Sequence, residues 1–147
     1  MKPKDFYRSL AWRYCSRYVL LFYSIDGLYV KCSTCGKIMQ VNSREAHCGH
    51  LIKITDSWAT AFEFENLAPQ CMRDNRFLGG RQDLMKEWLI KKHGIYKIND
   101  LYIRKHNFCK PEQFHLDYWA GYYKRLFEKL AEEKGNPWKK NVGIRSY

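Results

Sequence analysis

The stretch Cys32-Ser33-Thr34-Cys35-Gly36, followed by His47-Cys48-Gly49-His50 and then by Asn66, Gln70, Cys71, Asp74 and Asn75, decides how this chain is read. It gathers most of the metal-binding and acid-base side chains into the middle third of 147 residues. Cys-x-x-Cys with a trailing glycine has the form of a zinc knuckle, because two thiolates at that spacing reach one tetrahedral ion and glycine permits the turn around them. The remaining cysteines, Cys15 and Cys109, read as lone structural thiols. Close Cys-x-x-Cys spacing points to metal rather than to disulfides in a reducing compartment.

Outward from the knuckle, local patterns predict the frame. Apolar residues at three- and four-residue spacing from Asp5 to Ile25 (Phe6, Leu10, Tyr14, Tyr18, Leu21, Phe22) predict one amphipathic helix, capped by Asp5 and stopped near Gly27. Leu28 to Lys31 is β-prone, and Ala46–Ile52 and Ala61–Phe64 read as two short strands. Pro69 suits the first turn of a short helix carrying Gln70, Cys71, Asp74 and Asn75 and closed by Gly79-Gly80. A helix from Arg81 to His93 follows, with Leu84, Trp88 and Leu89 on one face, then a short one over Asn99–His106. A long helix after Pro111 carries Phe114, Tyr118, Tyr122, Leu126 and Leu130. The fold class expected is α+β in a single domain. Residues 1–27 form an N-terminal helix, 28–80 a zinc-stapled ββα-metal core, 81–137 a helical extension and 138–147 a basic, loose tail.

Charge narrows the class of partner. Lys and Arg number 26 against 15 Asp and Glu, a formal net charge of +11, and such an excess concentrates polyanions, with nucleic acid first among them. No apolar run approaches the ~20 residues needed to span a bilayer, and no apolar leader follows the N-terminal Met-Lys-Pro-Lys-Asp, so a membrane role is not expected and a cytoplasmic location is. Lys53, Arg73, Arg76, Arg81, Lys91 and Lys92 lie near the cluster in sequence and are candidates to grip DNA phosphates without reading bases.

The order of the cluster is a knuckle, a strand ending in Gly49-His50, a second strand, Asn66 in a turn, and a helix bearing Cys71 and Asn75. That is the order of a ββα-metal site. Phosphodiester hydrolysis needs a base for the attacking water and a cation for the charge that develops on phosphorus and the leaving oxygen. The neutral imidazole of His50 suits the first task, and helix-borne Asn or His side chains can hold a hard cation such as Mg2+.

These stretches, together with Phe64-Glu65-Asn66-Leu67 and Gly79-Gly80, resemble the phage lambda NinG (Rap) recombination nuclease family, and the likeness covers most of the chain. The resemblance implies a His-Me finger (HNH) endonuclease that acts on branched recombination intermediates such as Holliday junctions and D-loops. It would be the product of a phage or prophage in a bacterial host, working beside recombination proteins. It implies His50 as general base, Asn66 as the residue that orients it, and Asn75 as ligand of a catalytic Mg2+ or Mn2+. His47 stands where relatives carry an Asp and is the candidate second ligand of that cation. The family's second Cys-x-x-Cys reads Cys71-Met72-Arg73-Asp74 here, which makes Cys32, Cys35, Cys71 and Asp74 the expected ligands of a structural Zn2+, with Cys48 or a water as alternatives to Asp74. A resolvase that cuts a two-fold junction in pairs is expected to be a homodimer by symmetry matching. Two other readings keep part of this chemistry: a sequence-directed HNH nicking enzyme of homing or packaging type, and a non-catalytic zinc-finger DNA-binding protein.

Overall fold

The computed structural model describes residues 1–107 and 110–139. Cys109 and most of the basic tail lie outside the described residues. The architecture is α+β: two small antiparallel sheets enclosed by helices. No described helix is long and apolar enough to cross a membrane.

The N-terminal segment is two helices, not one. α1 (Pro3–Arg8) ends at Ser9, whose extended backbone breaks the helix, and α2 (Leu10–Tyr23) starts again with the Ser9 hydroxyl accepting from Trp12 N–H at 3.1 Å. Asp5 sits inside the first turn of α1 and does not cap it from outside. Serine is an efficient helix N-cap because its oxygen satisfies a backbone donor that has no partner within the helix. Phe6 on α1 is thereby folded back onto Trp12 of α2, ring centroids 5.1 Å apart.

β1 (Tyr29–Lys31) and β2 (Ile38–Gln40) form a hairpin with the Cys32–Gly36 knuckle at its tip. β3 (Ala46–His50) pairs with β4 (Leu67–Cys71), His47 opposite Gln70 and Gly49 opposite Ala68. Here two expectations are corrected. The second strand is 67–71; Ala61–Phe64 lies in the connecting loop and runs into a single 3-10 turn, Phe64–Asn66. Gln70 and Cys71 therefore stand on a strand, and Asp74 and Asn75 on a one-turn π-helix, Arg73–Phe77, that follows it. Proline is tolerated in β4 because each strand of a two-stranded sheet has a free edge. The Pro69 carbonyl accepts Ser33 N–H at 2.8 Å, which ties the knuckle to the second sheet.

The β3-β4 sheet is covered on both faces. One core holds Phe6, Trp12, Cys15, Val19, Cys48, Phe62, Leu67 and Tyr123, with α2 packed along α5 (Gln113–Lys134). The other holds Leu51, Ile52, Ala68, Met85, Leu89, Ile98 and Leu101, contributed in part by α3 (Gln82–His93) and α4 (Ile95–Arg104). Being enclosed, all five residues of β4 are buried. Lys134 fixes the end of α2 by donating to the carbonyls of Leu21, Phe22 and Ser24 at 3.0–3.1 Å, a cationic cap at the C-terminal end of the helix. The start of the expected loose tail is docked: Trp138 packs edge-on to Phe127, with the Arg17 guanidinium 5.3 Å from its ring centroid.

Candidate metal centre and catalytic cleft

The hairpin turn, the end of β4 and the π-helical turn bring Cys32, Cys35, Cys71 and Asp74 together, each donor atom within 4.8 Å of the others. This cluster can hold a metal ion. A tetrahedral ion with Zn–S bonds of about 2.3 Å separates its sulfurs by about 3.8 Å. Cys35 Sγ and Cys71 Sγ are 3.7 Å apart, and Cys32 Sγ lies 3.8 Å from Asp74 Oδ2, so the donors are spaced for such an ion. Cys48 is not among them; strand alternation turns it to the opposite side, into the core with Cys15 and Tyr123.

The acidic groups of the cluster are shifted in different directions. Burial opposes ionisation of Cys32, but its contact with the Thr34 hydroxyl and the hydrogen bonds from backbone N–H groups outweigh it and pull the thiol below its ordinary pKa. Cys71 is pushed up to about 11, by burial first and then by the neighbouring Cys35 and Cys32 sulfurs. A dication among the sulfurs would remove that last cost. Burial likewise opposes the charge on Asp74, yet Thr34, Arg73 and Arg81 hold its carboxyl below the usual range. Thr34 Oγ1 donates to Asp74 Oδ2 at 2.6 Å, while Arg73 Nε and Arg81 Nε lie 3.2 and 3.6 Å from Oδ1. Thr34 is a residue that the Cys-x-x-Cys pattern alone does not single out.

A second site lies beside it. His50, at the end of β3, lines a cleft of about 570 Å3 together with His47, Lys53, Thr55, Asn75 and Arg76. Its ring stacks on Trp12 at 4.7 Å between centroids and 21° between planes. Its Nε2 is 2.9 Å from the Ala61 carbonyl. A carbonyl only accepts, so Nε2 carries the proton of the neutral ring and Nδ1 keeps a lone pair. Asn66 sets the loop that provides this carbonyl. Its Oδ1 accepts from Ile52 N–H at 2.7 Å, and its Nδ2 donates to the carbonyls of Ile52 and Thr60 at 3.0 Å each. Trp12 and the Ala61 carbonyl are the contributions to this site that no sequence spacing signals, since both arrive by tertiary packing.

His50 is held down to about pKa 4, chiefly by burial, which the hydrogen bond to Ala61 only partly offsets. The sign of the consequence follows by linkage. Between about pH 6.5, where an unfolded histidine binds its proton, and about pH 4, the unfolded chain binds more protons, so stability falls as pH falls through that window and the effect is complete below it. The shift corresponds to about 3 kcal/mol. Urea unfolding of wild type and of His50→Gln at several pH values should show the wild type losing about that much more than the variant between pH 7 and 4. Parallel pH slopes would contradict the buried neutral ring.

His47 and Asn75 meet in the same cleft, where Asn75 Nδ2 lies 2.9 Å from His47 Nδ1. His47 Nε2 lies 3.1 Å from the Arg44 carbonyl. Both ring nitrogens are therefore engaged, and the two residues expected to hold the catalytic cation, His47 and Asn75, stand side by side. Of the expected phosphate contacts, Lys53 and Arg76 are exposed and line the cleft with His50. Arg73 is exposed but pairs with Asp74, and it lines a smaller hollow with Cys35 and Lys37. Arg81 is half-buried against Asp74, and Lys92 lies over the rings of Trp88 and Tyr23 at 5.1 and 6.0 Å. Lys91 is exposed on α3 away from the residues of the cleft. Compared with known protein-family models, curated proteins and solved structures, this chain matches none.

Proposed function

We propose that the chain is a metal-dependent DNA endonuclease of the His-Me finger (ββα-metal) class that acts on branched DNA, with a structural Zn2+ at Cys32, Cys35, Cys71 and Asp74. The observation that carries this reading is His50: a neutral imidazole, locked in one tautomer by a main-chain carbonyl, in a cleft that also contains Asn75 and two exposed cations. A zinc finger that only binds DNA has no use for such a group. The chain order of β3, loop, β4 and a helical turn bearing Asn75 supports this reading. The branched substrate rests on the resemblance to the NinG family.

Lys53 and Arg76 supply charge for the phosphate backbone. Through Nδ1, His50 takes a proton from the attacking water as the new O–P bond forms; the P–O3′ bond breaks, leaving a 5′-phosphate. A phosphate entering the cleft favours the imidazolium and raises the His50 pKa toward its ordinary range, which makes the ring a better base once substrate is bound. Asn66 acts at one remove by holding the loop that fixes the ring. A Mg2+ or Mn2+ ion, for which Asn75 offers an amide oxygen, supplies stabilisation of negative charge on phosphorus and the leaving oxygen.

The test is a cleavage assay on a four-way junction beside a linear duplex of the same sequence, with and without Mg2+. Metal-dependent cutting that favours the junction is the expected result, with binding that weakens steeply as salt rises, because phosphate contacts release counterions. Equal cutting of both DNAs would move the substrate to a sequence-directed nicking enzyme. No cutting with any divalent ion would overturn the enzymatic reading.

A further inference from the structure

We propose that Tyr7 is a stacking platform for a nucleobase beside the scissile phosphate, a base that branched or single-stranded DNA presents and continuous duplex does not. This rests on the nuclease reading above and gives its substrate preference a physical cause. The cleft that holds His50 has two unlike walls. Lys53, Asn75 and Arg76 bring charge and amide groups to it, whereas Pro3, Tyr7 and Trp12 bring apolar and aromatic surface. Gripping a phosphate backbone uses the first wall and leaves the second without a task. At about 570 Å3 the cleft falls in the ~300–1,000 Å3 range of sites that enclose small organic ligands, so it has space for more than a phosphate.

The fold of the N-terminal segment puts Tyr7 at this wall and keeps it there. Phe6 is fully buried against Trp12, Trp58 and Phe62, with ring centroids 5.0–5.5 Å apart, and it pins α1 to the core. The next residue on a helix is turned by about 100°, which carries Tyr7 out of that core. Its ring stands nearly perpendicular to those of Phe6 and Trp12, at 5.2 and 5.7 Å, and 6.3 Å from the ring of His50. Tyr7 nevertheless remains 49% exposed. An aromatic side chain braced by two others, half open and next to His50, is placed to stack on a flat group that enters the cleft.

The flat group that accompanies a phosphate is a base of the same strand, tied to it through one sugar. Every base has a π-face, so stacking on an aromatic side chain tolerates any sequence. A base inside continuous duplex is paired and stacked on both faces, and it must be extruded before it can reach Tyr7. At a branch or in a single strand that cost is already met in part. Linear duplex therefore meets only the cationic wall, whereas branched DNA meets both.

The experiment measures binding of the zinc-loaded full chain to a Y-shaped DNA with single-stranded arms, without added Mg2+ or Mn2+, so that binding is read apart from cutting. Each nucleotide at the fork is replaced in turn by 2-aminopurine, whose fluorescence reports stacking, and in a second series by an abasic site. For at least one position we expect the fluorescence to change when wild type or Tyr7→Phe binds, and not when Tyr7→Ala or Tyr7→Leu binds. At that position the abasic site should lower wild-type affinity by about tenfold; Tyr7→Ala, weaker by about the same factor on intact DNA, should lose nothing further, because one contact is not lost twice. Affinity for linear duplex should be equal in all these proteins. Tyr7→Leu keeps apolar packing on Phe6 and Trp12 but has no π-face, so it decides the matter if Tyr7→Ala does not fold. Additive losses, wild-type affinity for the fork in Tyr7→Leu, or no fluorescence change with wild type at any position would overturn the proposal and leave the nuclease reading standing. Coupling between Tyr7 and a base in a protein that cuts no DNA with any divalent ion would overturn the nuclease reading and leave the base contact. Absence of binding to either DNA would remove both.

Discussion

His50→Ala should lower junction cleavage by about 10²–10⁴-fold, the usual contribution of a positioned general base, while zinc content and DNA affinity stay close to wild type. Binding should survive, because the phosphate contacts proposed for Lys53 and Arg76 do not involve the imidazole. Stability will not be untouched: the ring is stacked on Trp12 and bonded to Ala61, so the substitution leaves a gap in an aromatic cluster and a buried carbonyl without its donor, a cost of about 1–3 kcal/mol. Rates must therefore be compared at a temperature where both proteins are folded. The gap opens onto the cleft, so added imidazole should restore part of the rate to His50→Ala and none to Asn75→Ala. Raising Mg2+ or Mn2+ should do the reverse, since a lost ligand weakens metal affinity whereas a lost base does not. Wild-type cleavage by His50→Ala under matched metal and pH would make His50 a structural residue.

The features legible in the sequence are those fixed by local chemistry. The knuckle at Cys32 and Cys35, β3 ending at His50 and the long helix ended at Gly135 all follow from short-range spacing and turn residues. What local reading misassigned depends on burial from afar. Ala61–Phe64 is apolar because the loop is drawn into the core, where the Ala61 carbonyl holds His50 and the Phe62 carbonyl accepts from Tyr123, and an apolar run of that length cannot be told from a strand by pattern alone. Pro69 looks like a helix start until the knuckle and β3 are present to pair with β4. In α5 the period is right and the phase is not. Phe114 and Tyr118 are 62% exposed, while Leu116, Tyr123 and Phe127 face α2 and the loop. Aromatic residues are plentiful on both sides of that helix, so hydrophobicity alone does not choose the face. α3 repeats the error in part: Leu89 is buried and Trp88 packs on the same core as expected, but Met85 is buried as well and Leu84 is exposed.

Removing the ion from the thiolate cluster should have the largest effect of all, loss of the folded middle third. The hairpin β1-β2 has only a small core, Leu20, Val30, Cys32, Met39, Val41 and Cys71, of which two are ligands. Structural Zn2+ contributes about 10–16 kcal/mol in zinc-finger peptides, comparable with the ~5–15 kcal/mol that holds a whole domain together. Without it, three thiols and a buried carboxylate are left facing one another, and the Ser33 and Cys71 backbone donors that join the hairpin to β4 lose their anchor. Hydrogen exchange after chelation should show amide protection collapsing over residues 28–50 and 67–80 first, with α2 and α5 holding longer because they pack on each other through a separate core. If Asn75 holds the catalytic ion as proposed, cleavage should vanish with the zinc even when Mg2+ is in excess, because the turn that carries Asn75 follows β4. Asp74→Cys isolates the fourth ligand. It keeps an anionic donor in place and should tighten zinc by tenfold or more, while releasing Arg73 and Arg81 from their carboxylate. Unchanged zinc affinity in Asp74→Cys would assign the fourth position to water, since Cys48 faces the other side of β3. Purified protein holding much less than one zinc per chain, with exchange protection indifferent to chelator, would remove the metal from the structure altogether.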